Sequence, residues 1–351
     1  MKSTPNKTEP LTVHVAVAVL RYADKFLLAR RSLHQHLGGK LEFVGGKIQA
    51  DESPALAVVR EVHEEIGLKL NTDQLVFMGK IAHDYADKSV CLHIYQACLT
   101  DCQYGDFRHR SVGLENQSLY WFKQDEIISR AHELPAANAC ILDWLSLPKV
   151  LYISQALSEF GGMEKFANYY IQHLPKGACF YLRPCIGAHE IIQLLALMTE
   201  SRADLRLIVG WSVYHAYHQQ GGDVKDLMVK LTRAELDQFG AHDLPADLPI
   251  WVGVHDEKEA RAVNQLNKSH RVLAALISPV RPTATHPETP VLGWEGFWHL
   301  AQLCDVPSLA LGGMRLSDLQ SAKDHGAIGI AGIRGMVERT GAANVIKGGF
   351  D

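Results

Sequence analysis

Gly46-Lys47-Ile48-Gln49-Ala50-Asp51-Glu52-Ser53-Pro54-Ala55-Leu56-Ala57-Val58-Val59-Arg60-Glu61-Val62-His63-Glu64-Glu65-Ile66-Gly67-Leu68 decides the fold of the first part of the chain. Ser53 is a helix-capping residue, and Pro54 suits a first turn. Gly67 can end the helix in a left-handed conformation. Between these limits Ala55, Val58, Val59, Val62 and Ile66 fall on one stripe, which should pack inward. Glu61, Glu64 and Glu65 are spaced i, i+3, i+4, so their carboxylates share a different face. Crowded carboxylates repel one another unless a cation sits among them, and hard oxygen ligands suit Mg²⁺ or Mn²⁺, which keep waters and bind substrate phosphates. The plain alternative is a solvated acidic face after a glycine turn. The fixed spacing from Gly46 through Glu52 to Arg60-Glu61 and Glu64-Glu65-Ile66-Gly67 outweighs it.

These positions resemble the Nudix box of the Nudix hydrolases at every specified residue. The resemblance implies an α/β/α sandwich that hydrolyses a nucleoside diphosphate linked to another group. It places Gly46, Glu61, Glu64 and Glu65 in the metal site and pairs Arg60 with Glu52 to fix the loop. Gly45 and Gly46 let the backbone turn tightly and approach a ligand.

Outward from the box, Val13–Arg21 and Phe26–Arg30 read as a hairpin turning at Asp24 and Lys25. Leu41–Val44 is a short strand leading into the loop. Leu75–Tyr85 and Val90–Leu99 form a second hairpin around Ala86-Asp87-Lys88, and Leu119–Phe122 is a further strand. Asp125–Arg130 and Ala137–Leu145 read as helices. Arg30-Arg31, Lys40-Leu41-Glu42-Phe43, Gly45-Gly46-Lys47 and Leu134-Pro135-Ala136-Ala137-Asn138 resemble the MutT branch, the 8-oxo-dGTP diphosphatases. That resemblance implies substrate contacts from Arg31, Phe43, Gly45, Lys47 and Asn138, and a further metal-binding glutamate at Glu115. The amide of Asn138 can read a purine edge with paired hydrogen bonds, as amides read adenine. It can equally cap the helix that follows. Arg31 read alone is a surface arginine, and Phe43 a core aromatic. The implied reaction releases the nucleoside monophosphate and pyrophosphate, with Glu61, Glu64 and Glu115 as candidate bases.

At 351 residues the chain suggests two domains, and with 47% hydrophobic and 21% charged residues it has the makeup of a globular protein with ample core. The net charge of −4 comes without a basic stripe, which argues against duplex nucleic acid as a partner. An anionic nucleotide is then drawn in by metal and local arginines or lysines. The seven cysteines form no C-x-x-C pair, which argues against a zinc site or disulfide framework and for a reducing cytoplasm. Met1–Pro10 lacks the apolar core of a signal peptide, and no run is long enough to span a membrane.

After Pro148 the pattern changes. Eight short apolar runs, Val150–Ile153, Cys179–Leu182, Leu205–Val209, Leu227–Leu231, Ile250–Val254, Val272–Ile277, Ser308–Leu311 and Ile328–Ile333, alternate with helix-length gaps. Eight β and α units argue for a small (β/α)₈ TIM-type barrel. The domains are therefore expected at 1–147 and 148–340, with 341–351 a tail. Ser278-Pro279-Val280, Pro282-Thr283-Ala284-Thr285-His286-Pro287, Leu292-Gly293-Trp294 and Ala310-Leu311-Gly312-Gly313-Met314 resemble thiamine phosphate synthase, as does Tyr181-Leu182-Arg183. The resemblance implies phosphate binding by Arg183, Thr283, Thr285, Gly312 and Gly313. The chain departs from that family at Cys185 and His286, where lysines are expected, and at Gly210-Trp211, where Asn-Asp is expected. No clear counterpart of its Mg²⁺-binding aspartate stands near Asp223. A phosphate cup without synthase chemistry follows. Three functions remain open: a sanitiser of oxidised guanine nucleotides, a hydrolase of thiamine-related pyrophosphates, and a hydrolase carrying a regulatory or interaction barrel.

Overall fold

The computed structural model describes residues 12–34, 38–84, 89–135, 138–238, 244–283 and 288–337. The amino-terminal Met1–Pro10 segment, the Ala86–Lys88 turn, Ala136, Ala137, Thr285, His286 and the 341–351 tail lie outside them. Two compact units meet in sequence between Ser146 and Leu147.

The first unit is a mixed sheet. Its strands are β1 (Thr12–Tyr22), β2 (Lys25–Arg30), β3 (Leu41–Glu42), β4 (Val44–Lys47), β5 (Leu75–Asp84), β6 (Ser89–Cys98) and β7 (Ser118–Lys123). The main path runs β3-β2-β1-β6-β5, with β4 paired to β1 and β7 to β2. Only β1 and β6 run parallel, in an unbroken register from Thr12 opposite Ser89 to Arg21 opposite Cys98. The first hairpin turns at Ala23 and Asp24, one residue earlier than the sequence predicts, with Ala23 at φ 49°.

Helix α1 (Pro54–Ile66) lies on one face of this sheet. The Ser53 side chain accepts a bond from the Leu56 N–H, and Gly67, at φ 73°, donates to the His63 carbonyl. Ala57, Val58, Val62 and Ile66 are buried against Ala16, Ala18, Leu20 and Val44. The inward stripe thus includes Ala57, while Ala55 and Val59 lie at its half-buried edges. Val17 and Val19 are buried as well, so both faces of β1 are covered, which a one-sided sheet would not require. Helix α2 (Asp101–Phe107) is an element the sequence reading omits. Thr100 and Gln103 form its capping box, with the Gln103 N–H donating to Thr100 Oγ1 and the Thr100 N–H donating to Gln103 Oε1. Helices α3 (Gln124–Ser129) and α4 (Ala139–Leu145) complete the unit.

In the second unit each of the eight apolar runs becomes one parallel strand. These are β8 (Val150–Ile153), β9 (Cys179–Tyr181), β10 (Arg206–Gly210), β11 (Met228–Leu231), β12 (Ile250–Val254), β13 (Val272–Ile277), β14 (Ser308–Leu311) and β15 (Gly329–Gly332). They close into a barrel, with Ile330 of β15 in register with Val150 of β8. The intervening helices are α5 (Met163–His173), α6 (Ala188–Ser201), α7 (Trp211–Gln219), α8 (Arg233–Gln238), α9 (Glu257–Asn267), α10 (Gly293–Leu303) and α11 (Leu319–Asp324). Every residue of β13 is buried, as a strand covered on both faces should be. Among the described residues no helix is long and apolar enough to cross a membrane.

Candidate functional site

The loop from β4 to α1 is organised around one guanidinium. Arg60 donates through Nε and one terminal nitrogen to the two oxygens of Glu52, at 3.1 and 2.5 Å. That same terminal nitrogen reaches the Lys47 carbonyl at 3.0 Å. Its other terminal nitrogen reaches Glu61 at 2.7 Å and Glu64 at 2.9 Å. Glu52 is fixed from its other side by the Gln49 N–H at 2.7 Å. Arg60 is thereby held well above the usual guanidinium range, chiefly by its bonds to Glu52, and the Glu52 carboxyl is held low chiefly by Arg60.

The glycines fit this arrangement closely. A Cβ at Gly46 would overlap the Glu61 carboxyl group, and one at Gly45 would overlap the Ala16 carbonyl oxygen on β1. Gly46 stands opposite Ala16 in the β1–β4 register. The carboxyl group of Glu61 therefore rests directly on the backbone of β4.

Glu65 has no ion pair among the described residues. Burial pushes its carboxyl up to about 8, and the charges of Glu42, Glu115 and Glu61 add to the effect; the Gly45 N–H offsets part of it. Glu42, at the end of β3, is pushed up to about 7 by burial, against the pull of Arg31 and with the added push of Glu115. Arg31 follows β2 and pairs with Glu42 at 2.9 Å, while its Nε is buried with no hydrogen-bond partner among the described residues. Glu115 belongs to the loop between α2 and β7. That loop is fastened to the end of α1, because the Leu114 N–H and the Gln117 amide both donate to the Glu65 carbonyl and Arg110 donates to that of Ile66. The structure thus gathers Glu42, Glu61, Glu65 and Glu115, with Glu64 on the exposed side of α1. Glu42 is the member that sequence reasoning missed. The four carboxylates supply oxygen donors of the kind a hard divalent ion takes, and the nearby Arg60 and Arg31 are already paired.

The expected base-contact residues stand on neighbouring segments. Phe43, between β3 and β4, is buried. The segment before α4 is tied to the sheet by Arg30 to Glu133 at 2.9 Å and by Lys40 Nζ to the His132 carbonyl at 2.7 Å. Asn138 occupies the N-cap position of α4 but makes no capping bond with its side chain. It is only 8% exposed, so the amide is buried without serving the helix. Lys47 contributes its carbonyl to Arg60, and its side chain is exposed.

A model of the NUDIX domain matches residues 12–145. Over 86 residues the chain is 36% identical to an 8-oxo-dGTP diphosphatase of Proteus vulgaris, covering 24% of this chain and 73% of that protein. The chain belongs to the Nudix family. Its Nudix domain is also 28% identical over 116 residues to a CTP pyrophosphohydrolase of Escherichia coli K12, covering 33% of this chain and 79% of that protein. A model of thiamine monophosphate synthase matches residues 229–336. A thiamine-phosphate synthase of Corynebacterium efficiens is 37% identical over 157 residues, covering 40% of this chain and 73% of that protein. The barrel is thus a thiamine phosphate synthase-like domain behind the Nudix domain.

The mouth of that barrel holds a cavity of about 680 Å³. Arg183, Thr283, Gly312 and Gly313 line it, joined by Lys230, His255, Arg315 and Arg334. Gly312 and Gly313 have φ of 100° and 65°, and a Cβ on either would press on the segment from Pro279 to Pro282. The Arg183 N–H donates to Ser154 Oγ at 2.7 Å. Lys230 was not singled out from sequence, since it reads as an interruption of the β11 run. Burial and the charge of Arg183 hold its ammonium below the usual lysine range. Cys185 is exposed, with φ 59°, and its thiol lies 3.7 Å from the Arg183 carbonyl. Gly210 ends β10, and Trp211 begins α7.

Proposed function

We propose that the Nudix domain hydrolyses oxidised purine nucleoside triphosphates, converting 8-oxo-dGTP to 8-oxo-dGMP and pyrophosphate, and so cleanses the nucleotide pool. The observation that carries the metal-dependent part is the charge-crowded cluster of Glu42, Glu61, Glu65 and Glu115. Glu61, Glu64, Glu65 and Glu115, with Gly46, would hold Mg²⁺ or Mn²⁺. When bound, such an ion neutralises phosphate charge and lowers the pKa of a coordinated water. Arg60 keeps Glu61 and Glu64 in place and ties the loop through Glu52 and Lys47. One of Glu61, Glu64 and Glu115 takes the proton of the water that attacks phosphorus in line. Lys47 is free in side chain to meet the phosphates, and Gly45 admits their close approach.

For the base, the buried amide of Asn138, uncommitted to capping, supports purine-edge recognition, with Phe43 between β3 and β4 and Arg31 just after β2. An oxidised guanine carries an N7–H donor that guanine lacks. An acceptor placed there is left unpaired by guanine, at a cost of about 1–3 kcal/mol. The name of the Proteus vulgaris relative supports the same base; that of the Escherichia coli relative keeps CTP as the second substrate to test.

The barrel is proposed to bind a phosphorylated ligand through Arg183, Thr283, Gly312 and Gly313, with Lys230 beside them, and not to make thiamine phosphate. Backbone N–H groups at strand ends and nearby cations suffice for a phosphate. Cys185 and Gly210-Trp211 do not supply the cation and metal-binding groups that expelling pyrophosphate needs, and Thr285 and His286 stand outside the described residues. The test is a product assay of the full chain with Mg²⁺ against 8-oxo-dGTP, dGTP, CTP and thiamine diphosphate. The expected result is the highest kcat/KM with 8-oxo-dGTP. A higher value for CTP or thiamine diphosphate would replace the proposed substrate.

A further inference from the structure

The parallel register of β1 and β6 brings together three side chains that are far apart in sequence. His14 stands opposite Cys91, and His93 follows two residues later on the same face of β6. His14 Nδ1 lies 3.0 Å from His93 Nε2, and Cys91 Sγ lies 3.7 Å from that same nitrogen. All three ligand atoms fall within 4.8 Å of one another. Bonds of about 2.0 Å to nitrogen and about 2.3 Å to sulfur at tetrahedral angles set ligand edges near 3.3 Å for N···N and near 3.5 Å for N···S. The two edges at His93 Nε2, 3.0 and 3.7 Å, are within a few tenths of an ångström of these values, and the third lies within 4.8 Å.

We propose that His14, Cys91 and His93 form a second metal site, for a borderline-soft divalent ion of the Zn²⁺ type, chemically distinct from the carboxylate cluster. Two imidazoles and a thiolate without a carboxylate select zinc over magnesium or manganese. Three protein ligands leave a fourth position for water or an incoming group. His14 is exposed, so the site can be loaded from solvent. Lys80, the register partner of His93 on β5, is a neighbouring cation that opposes an ion here, and the Cys91 thiolate offsets it. In the metal-free protein one ring donates its N–H across the short His14–His93 contact; on binding that proton moves to the ring's other nitrogen, and the proton released to solvent is that of the Cys91 thiol. Sequence spacing gave no sign of this site, because a strand pairing rather than a local motif assembles it.

The test is titration of the full chain with Co²⁺, followed by Zn²⁺ competition. A thiolate-to-cobalt charge-transfer band should rise to one equivalent and be bleached by Zn²⁺. Cys91→Ser should abolish the band. His14→Ala, at an exposed position where misfolding is not at issue, should raise the half-saturation concentration by about 100-fold or more. Circular dichroism and the thermal midpoint establish that Cys91→Ser is folded. Glu64→Gln should leave band and midpoint unchanged. Absence of a band, a band of full intensity in folded Cys91→Ser, or an unchanged half-saturation concentration in His14→Ala would overturn the site.

Discussion

The candidate sites of the two domains have opposite electrostatics. The Nudix site is a concentration of carboxylates whose arginines are already paired, Arg60 with Glu52, Glu61 and Glu64, and Arg31 with Glu42. The barrel mouth has Arg183, Lys230, Arg315 and Arg334 around two strand-end glycines. A site of the first kind repels a triphosphate until a cation is recruited. One of the second kind attracts phosphate with its own groups. The difference teaches that net charge says little about local sites: the value of −4 conceals one cluster rich in carboxylates and one cavity lined by arginines and a lysine.

The largest effect that could break this comparison lies at Glu64. Glu64→Gln should reduce kcat for nucleotide hydrolysis by about 10³-fold, the combined effect of lost metal affinity and base strength. Ligand binding at the barrel should not change. Near wild-type kcat at saturating Mg²⁺ would remove Glu64 from the site. Next, Asn138→Ala should narrow the preference for 8-oxo-dGTP over dGTP by roughly 10- to 100-fold, as befits a paired base-edge contact of about 1–3 kcal/mol. An equal fall for both substrates would make Asn138 structural. On the barrel side, Arg183→Ala should weaken binding of thiamine phosphate by about 10-fold or more, the range of a charge-assisted hydrogen bond, as read by calorimetry on the full chain. Hydrolysis should be untouched. Synthase turnover by the wild type, lost in Arg183→Ala, would show that the barrel retains the chemistry of its relatives.

Legibility in the sequence followed the range of the interactions involved. The limits of α1 are local, set by Ser53, Pro54 and Gly67, and could be read directly. The barrel strands are short and buried on both sides, so each appears as an apolar run between helical gaps. The capping box of α2 was equally local, in Thr100 and Gln103, and was available but unused. Glu42 was different. Beside Arg31 it resembles an ordinary surface pair, and only the pairing of β2 with β3 and the docking of the Glu115 loop on α1 turn it toward Glu65. Lys230 reads as a flaw in an apolar strand until barrel closure places it beside Arg183. His14, Cys91 and His93 depend wholly on the parallel pairing of β1 with β6. Contacts made by strand pairing or loop docking have no signature at fixed spacing, and the missed residues belong to that class.

The central claim is that the carboxylate cluster is built for a cation. The sign of its pH dependence follows. Glu65 and Glu42 titrate at about 8 and about 7, above ordinary carboxylates, so the folded metal-free domain holds protons that the unfolded chain releases. The stability that these two carboxyls contribute should be fully present below about pH 4.5 and be lost as pH rises through 7 to 8, with Mg²⁺ reversing the loss. The most direct measurement is calorimetry of Mg²⁺ binding to the metal-free full chain at pH 7, in buffers of different ionisation enthalpy. The account predicts release of roughly one proton per ion bound, and much less for Glu65→Gln. Binding with no proton release in the wild type, or no binding at all, would contradict it.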